Sequence, residues 1–421
     1  MIHTTQLLPG VTLRCCRDAR FKQGCLSFQL VRPMDSRESA MNALLPSVLL
    51  RGTRNCPDLR SITHRLDDLY GAAVSPLVRR VGDYQTVGLY CGFMNDRFAL
   101  SGESVMERML AFLEELLLDS PLENGGFLPG FVEGEKRNLI ATIESELNDK
   151  RTYAMGRLLK TMCKGDSFGL PRLGDKEDVA AIEPKTLHRH YREILRTSPI
   201  HIFYVGSAEP QTVAALLMKL LARLDRMPEA LAPQTAFSPN EGSHLTESLD
   251  VSQGKLCMGF TTPITNRMPE FPAMQVANTI FGAGMTSKLF QNVREKLSLC
   301  YSVGSGYYGT KGIVLVSAGI DFDKEMVTRQ EVLRQLDECK AGRISESELK
   351  AAKEALLSSL RATHDSPGAI EGYYATAALS GMGLTPAQYM AAVEAVTAEQ
   401  VVAAANTVQL NSTYFLKGES Q

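Results

Sequence analysis

SKLFQNVREKLSLCYSVGSGY, Ser287 to Tyr307, holds a helix, a turn and the opening of a strand in one short run. From Ser287 to Leu297 the residues read as a helix, and from Tyr301 the run YSVGSGYY reads as a strand. After TKG a second strand follows, IVLVSAGI, Ile313 to Ile320. Upstream lie a strand, KLCMGFTTPI, a helix around Glu270 to Ile280 and a Gly-rich turn. Downstream, two long helices are expected at Met326 to Ala341 and Ser345 to Thr363. GSGYYG, Gly304 to Gly309, satisfies the letter of a dinucleotide fingerprint. That fingerprint needs a helix starting within its glycines, however, and here another strand follows, so a bent hairpin is the better reading.

The same order occurs in the first half of the chain. A strand-like run, CLSFQLVR, precedes helices at Ala40 to Leu50 and Asp58 to Tyr70, and strands follow around Tyr84 to Phe93. Glu103 to Leu118 and Gly134 to Cys163 read as long amphipathic helices. After the turn-rich KGDSFGLPRLGDKED come a helix, PKTLHRHYREIL, and a strand, IHIFYVGS. Gly52 precedes a helix ending at Tyr70, as Gly284 precedes one ending just before Tyr301. A duplicated unit explains this economically. The expected fold class is α+β, with two homologous repeats, each a mainly antiparallel sheet with helices packed on one face. MPEALAPQTAFSPNEGS, Met227 to Ser243, carries three prolines and little periodicity. It reads as a linker between a first repeat, 1–226, and a second, 244–421.

Composition excludes several classes of function. Lys+Arg 45 against Asp+Glu 47 leaves a formal charge of -2, so no global field favours nucleic acid or an anionic membrane. No run approaches the length of a membrane span, and the amino-terminal stretch lacks a signal-peptide core, which gives the expectation of a cytoplasmic protein. Nine cysteines are scattered without CxxC or Cys/His clustering, and reduced thiols are expected. Cys257 and Cys300 sit in apolar runs as small buried side chains. His188, His190 and Glu193 form the one dense His/acid cluster, but a zinc pair needs histidines at i and i+4, so they read as polar positions on a helix. His64 beside Asp67 and Asp68 reads as a surface ion pair, and adjacent acids such as Glu144/Glu146 point to different helix faces.

Three stretches together are similar to the insulinase/pitrilysin superfamily of zinc metallopeptidases, in particular its half-sized, dimeric members. Ser287 to Tyr307 resembles that family's second-half segment, a Leu-Phe, an Arg and then a Tyr opening a strand. SFGLPRLGDKEDVAAIEPKTLHRHYREIL followed by HIFYVGS, and ALLPSVLLRGT followed by LDDLYGA, support the match along the chain. Active members carry His-x-x-Glu-His before a Gly-Thr, with a third ligand, Glu, on a later helix. Two imidazoles and a carboxylate hold zinc with one position open for water, and the motif Glu takes the water's proton. Aligning on Gly52-Thr53 places Ala43 and Ser47 at the histidine positions and Pro46 at the general base. Glu135 to Thr142 matches the later run and places Thr142 at the third ligand. The resemblance therefore implies a chain with no metal site and no cofactor of its own, and Pro46 also removes a hydrogen bond within its helix.

Arg294 and Tyr301 stand at the spacing of the family's substrate-binding pair, whose guanidinium and phenol suit a peptide carbonyl and the oxyanion it becomes. The implied role is the non-catalytic subunit of a heterodimeric zinc peptidase, giving Arg294 and Tyr301 to a paralogous partner that carries the zinc. Its substrates would be extended peptides docked on a sheet edge by main-chain hydrogen bonds. The alternative class is a peptide-binding or scaffolding protein without proteolysis, with self-dimerisation its mark. An enzyme built on Cys300 beside Tyr301 finds no base nearby in the sequence.

Overall fold

Thirteen strands run along the described residues of the computed structural model, which are 2–100, 102–146 and 148–419, and the central ones are near-continuous apolar runs. The first half contributes β1 (Ile2–Leu8), β2 (Val11–Arg17), β3 (Gln23–Pro33), β4 (Ala73–Val81), β5 (Tyr84–Met94), the short pair β6 (Leu122–Glu123) and β7 (Gly126–Phe127), and β8 (Ile200–Gly206). The second contributes β9 (His244–Leu249), β10 (Gly254–Thr261), β11 (Ser302–Tyr308), β12 (Ile313–Ile320) and β13 (Gln409–Gly418).

Strand order makes the duplication explicit. The first sheet runs β1-β2-β8-β3-β5-β4 and the second β11-β12-β10-β13-β9. Read from the opposite edge, the second sheet repeats the first without β1. Each is antiparallel except where its last strand in sequence pairs parallel with an early one, β8 with β2 and β13 with β9. The fold is thus α+β with two homologous repeats. Its hairpin edge strands are β4, which carries Pro76, and β11.

One face of the first sheet is apolar throughout. Leu26, Phe28 and Leu30 of β3, with Ile202 and Tyr204 of β8, pack beneath the helices Ser39–Leu49, Val105–Leu118, Pro184–Thr197 and Pro210–Leu221. On the second sheet Phe260 meets Phe281 of the helix Phe271–Phe281 edge-on, with ring centroids 6.3 Å apart. Fully burying one such side chain contributes about 1.5–3 kcal/mol.

The opposite face of each sheet takes one further helix, and here the structure departs from contiguous halves. The chain divides into one unit of residues 1–144, 171–233 and 364–376 and another of 145–170, 234–363 and 377–421. The expected 1–226 and 244–421 repeats therefore exchange segments, and the cut at 233/234 falls inside the proline-rich stretch. The reason is packing. Ala154, Leu158 and Met162 of the helix Lys150–Met162 are buried against Cys257, Leu315, Tyr414 and Leu416 of the second sheet. Gly259 opens room there, since a Cβ on it would lie 2.4 Å from Met162 Sδ. Ile370 packs on Cys25 and Val205 of the first sheet. Beside it the fully buried Glu371 accepts from Ser27 Oγ at 2.7 Å, from Gln29 Nε2 at 2.8 Å and from both terminal nitrogens of Arg79 at 3.0 and 2.8 Å.

The stretch Gly134 to Cys163 forms parts of two helices, Pro129–Ser145 and Lys150–Met162, separated where Asp149 caps the second by accepting from Arg151 N and Thr152 N. Among the described residues no helix is long and apolar enough to cross a membrane.

Candidate substrate-binding site

The positions that the resemblance aligns with the family's metal ligands and general base sit on two helices of the first unit. Ser39–Leu49 runs through Pro46 without ending there and buries Ala43 and Pro46, while Ser47 is partly exposed. Thr142 is exposed on Pro129–Ser145, its hydroxyl donating to Asn138 O at 2.9 Å. Arg51 joins the two segments, pairing with Glu135 at 3.3 Å. Alanine and proline side chains offer no ligand atom and two alcohols are poor substitutes for imidazole and carboxylate, so these residues do not fit a catalytic zinc. Among the described residues no group of three His, Cys, Asp or Glu is arranged to hold a metal ion.

Nearby histidines have other work. His190 Nε2–H donates to Asn42 Oδ1 at 2.8 Å, and Asn42 Nδ2 donates in turn to Gln85 Oε1 at 2.9 Å. Burial pushes His190 down to about 4, helped by the Arg32 charge, which keeps it neutral at pH 7. His188 Nδ1 bonds Gly125 O at 3.1 Å, and Glu193 pairs with Arg196 at 3.3 Å.

The second unit brings Arg294 and Tyr301 together through a specific turn. Leu289–Lys296 is wound as a π-helix, with Leu297 N–H reaching Asn292 O, a winding that is rare and often marks functional sites. Ser298 then takes a left-handed conformation, φ 49, and turns the chain toward β11. Tyr301 N–H donates to Gly319 O at 2.8 Å, fixing this residue to the start of the sheet. Arg294 Nε donates to Tyr301 O at 3.0 Å, its guanidinium lies 4.7 Å from the Phe290 ring centroid, and Nη1 pairs with Glu295 at 3.1 Å. The contact between the two residues is thus side chain to backbone.

The Tyr301 phenol has a different partner, one that sequence reasoning missed. Its hydroxyl donates to Asp321 Oδ1 at 2.8 Å, and Asp321 is paired with Lys324 at 2.8 Å. Lys324 and the Tyr301 hydroxyl together hold the Asp321 carboxyl below its usual range, and the hydrogen bond to Asp321, with that residue's charge, raises the phenol's pKa. Asp321 and Lys324 lie just after β12, in a polar DFDK run whose only sequence signal is that it ends the strand.

Arg294, Glu295, Ser298 to Tyr301, Asp321 and Lys324 line an open depression of about 450 Å³. Tyr301 is 60% exposed within it, so the ring is reachable by a ligand. Cys300 is a poor nucleophile, because burial pushes its thiol up to about 11. Gly304 and Gly306 lie inside β11 with no helix following, as the hairpin reading requires.

A chain of two such repeats, carrying this helix-to-strand segment and lacking the ligand set, belongs to the peptidase M16 family. The family's description "Peptidase M16 inactive domain" matches residues 181–356. A relative from Bacillus subtilis, "Probable inactive metalloprotease YmfF", is 30% identical over 409 residues, covering 97% of this chain and 96% of its own. "Uncharacterized zinc protease YmxG" of the same organism is 25% identical over 207 residues, 48% of this chain and 49% of its own. Among solved structures, a conserved protein from Enterococcus faecalis V583 superposes with TM-score 0.92 at 26% identity, covering 100% of this chain and 99% of that one. A peptidase M16 inactive domain from Pseudomonas fluorescens shares the fold at TM-score 0.82 and 19% identity, covering 100% and 98%.

Proposed function

We propose that this chain is the non-catalytic subunit of a heterodimeric zinc peptidase, supplying Arg294 and Tyr301 to a paralogous subunit that carries the zinc. The observation that carries this reading is the contrast between the two halves. Ala43, Pro46, Ser47 and Thr142 leave the first half without metal chemistry, while the second half presents a guanidinium anchored by Tyr301 O and Phe290 at the rim of an open depression. An anchored guanidinium suits a peptide carbonyl whose charge grows during attack. Extended peptides are the substrate class, held mainly through their backbone.

Mixing the chain with a zinc-bearing paralogue is expected to create chelator-sensitive cleavage of a quenched peptide. Arg294→Ala lowers kcat/KM about 10²-fold, the scale of losing one transition-state donor, and Tyr301→Phe lowers it too. Activity unchanged by both substitutions defeats the reading. A stable self-dimer that no paralogue activates favours the scaffolding alternative.

A further inference from the structure

Tyr301 has one phenolic proton, and the structure commits it. Asp321 is a carboxylate that can only accept, so the 2.8 Å contact requires the phenol to donate to it. Lys324 holds Asp321 in place from the other side at 2.8 Å, and its Nζ also reaches Ser298 O, the carbonyl of the left-handed residue, at 3.5 Å.

The first unit builds the same arrangement independently. Tyr70, φ 62, follows the helix Leu59–Asp67 and precedes the edge strand β4, as Tyr301 precedes β11. Its hydroxyl donates to Glu103 Oε1 at 2.6 Å, Glu103 is paired with Arg108, and Arg108 Nη2 donates to Asp68 O at 3.2 Å. In both units, then, a tyrosine at the helix-to-edge-strand junction donates to a carboxylate from beyond the hairpin. In both, a cation pins that carboxylate and reaches back to the junction's own backbone. At Tyr70 the phenol oxygen, having given its proton away, accepts Leu100 N–H at 3.2 Å. The first unit therefore displays what such a phenol does next: it accepts a backbone amide.

We infer that Tyr301 binds substrate as a hydrogen-bond acceptor for a peptide N–H, with Asp321 the positioning residue that fixes this polarity and Arg294 the donor to a neighbouring carbonyl. This deepens the donated-pair reading and rests on it. Donation to a carboxylate makes the phenol oxygen a better acceptor, since hydrogen bonds in a chain polarise one another. Arg294 Nη2 makes no hydrogen bond among the described residues, which leaves a donor on the same rim. The pair then reads both polar groups of an extended backbone, and recognition is indifferent to side chains.

The test crosses the substrate with the residue. A peptide series in which one backbone N–H at a time is replaced by an ester oxygen is assayed with the reconstituted zinc-paralogue complex. At one position the ester raises KM about tenfold with the wild-type chain, the scale of one hydrogen bond. That penalty disappears in Tyr301→Phe, persists in Asp321→Asn, which keeps an acceptor for the phenol proton, and falls below about threefold in Asp321→Ala, which frees that proton. An ester penalty equal in wild type and Tyr301→Phe at every position overturns the acceptor role. All-amide peptides cleaved by Tyr301→Phe with wild-type kcat and KM instead overturn the donated pair itself. If no paralogue yields cleavage, the same cycle is read calorimetrically as peptide binding to the full chain, and absence of binding there overturns both.

Discussion

His190, on the helix Pro184–Thr197, ties stability to pH. Its imidazole is half-buried and neutral at pH 7, spending its N–H on Asn42. His201 on β8 is likewise pushed down to about 4 by burial. In the unfolded chain both titrate near 6.5, so between pH 6.5 and 4 the unfolded state binds more protons and stability falls as pH falls. Above pH 6.5 the contribution is complete, and below about 4 it is gone. A shift of this size corresponds to about 3 kcal/mol per histidine. Urea unfolding of His190→Gln is therefore expected to lose about that much less than wild type between pH 7.5 and 4.5, and equal losses in the two proteins refute the assignment. Arg294 and Tyr301 were picked out through the family resemblance that their segment carries. Asp321 was not, because which acid meets a phenol depends on a hairpin bringing together residues twenty positions apart, and no local pattern encodes that.

At the scale of elements, periodicity located most helices because each buries one face, and unbroken apolar runs located the central strands. It failed where a side chain overrides it. Asp149 ends what read as continuous helix by capping a new one. A second such side chain is Lys311, fully buried in the turn between β11 and β12 and paired with Asp166 at 3.0 Å; Asp166 also caps the turn Ser167–Gly169 through Phe168 N. The two partners should respond unequally to mutation. Asp166→Ala takes a paired carboxylate from a buried ammonium and the cap from Ser167–Gly169, and costs about 3–5 kcal/mol. Lys311→Met leaves a carboxylate that still reaches water and keeps its cap, and should cost about 1 kcal/mol. Denaturant midpoints of the two variants check this, and equal losses contradict it.

Across the whole molecule the duplication was readable and the exchange of segments was not. An amphipathic stripe such as Ala154, Leu158 and Met162 announces that a helix must be covered without saying by which sheet. The consequence is that neither half is self-sufficient. Residues 1–233 expressed alone lack Ile370 and Glu371 and carry Lys150–Met162 without its sheet; residues 234–421 lack that helix. Each fragment alone is expected to bind a hydrophobic dye and aggregate, while co-expression restores a soluble complex with the circular dichroism of the intact chain. Two independently soluble, cooperatively unfolding fragments would contradict the division. Nascent chains generally fold their amino-terminal domain first, during synthesis. Here the residues that close the first sheet, 364–376, leave the ribosome only after β9 to β12 of the second have been made. The first sheet must then wait, one face bare, while most of the second is being made, so its exposure to aggregation is set by the order in which its residues are born.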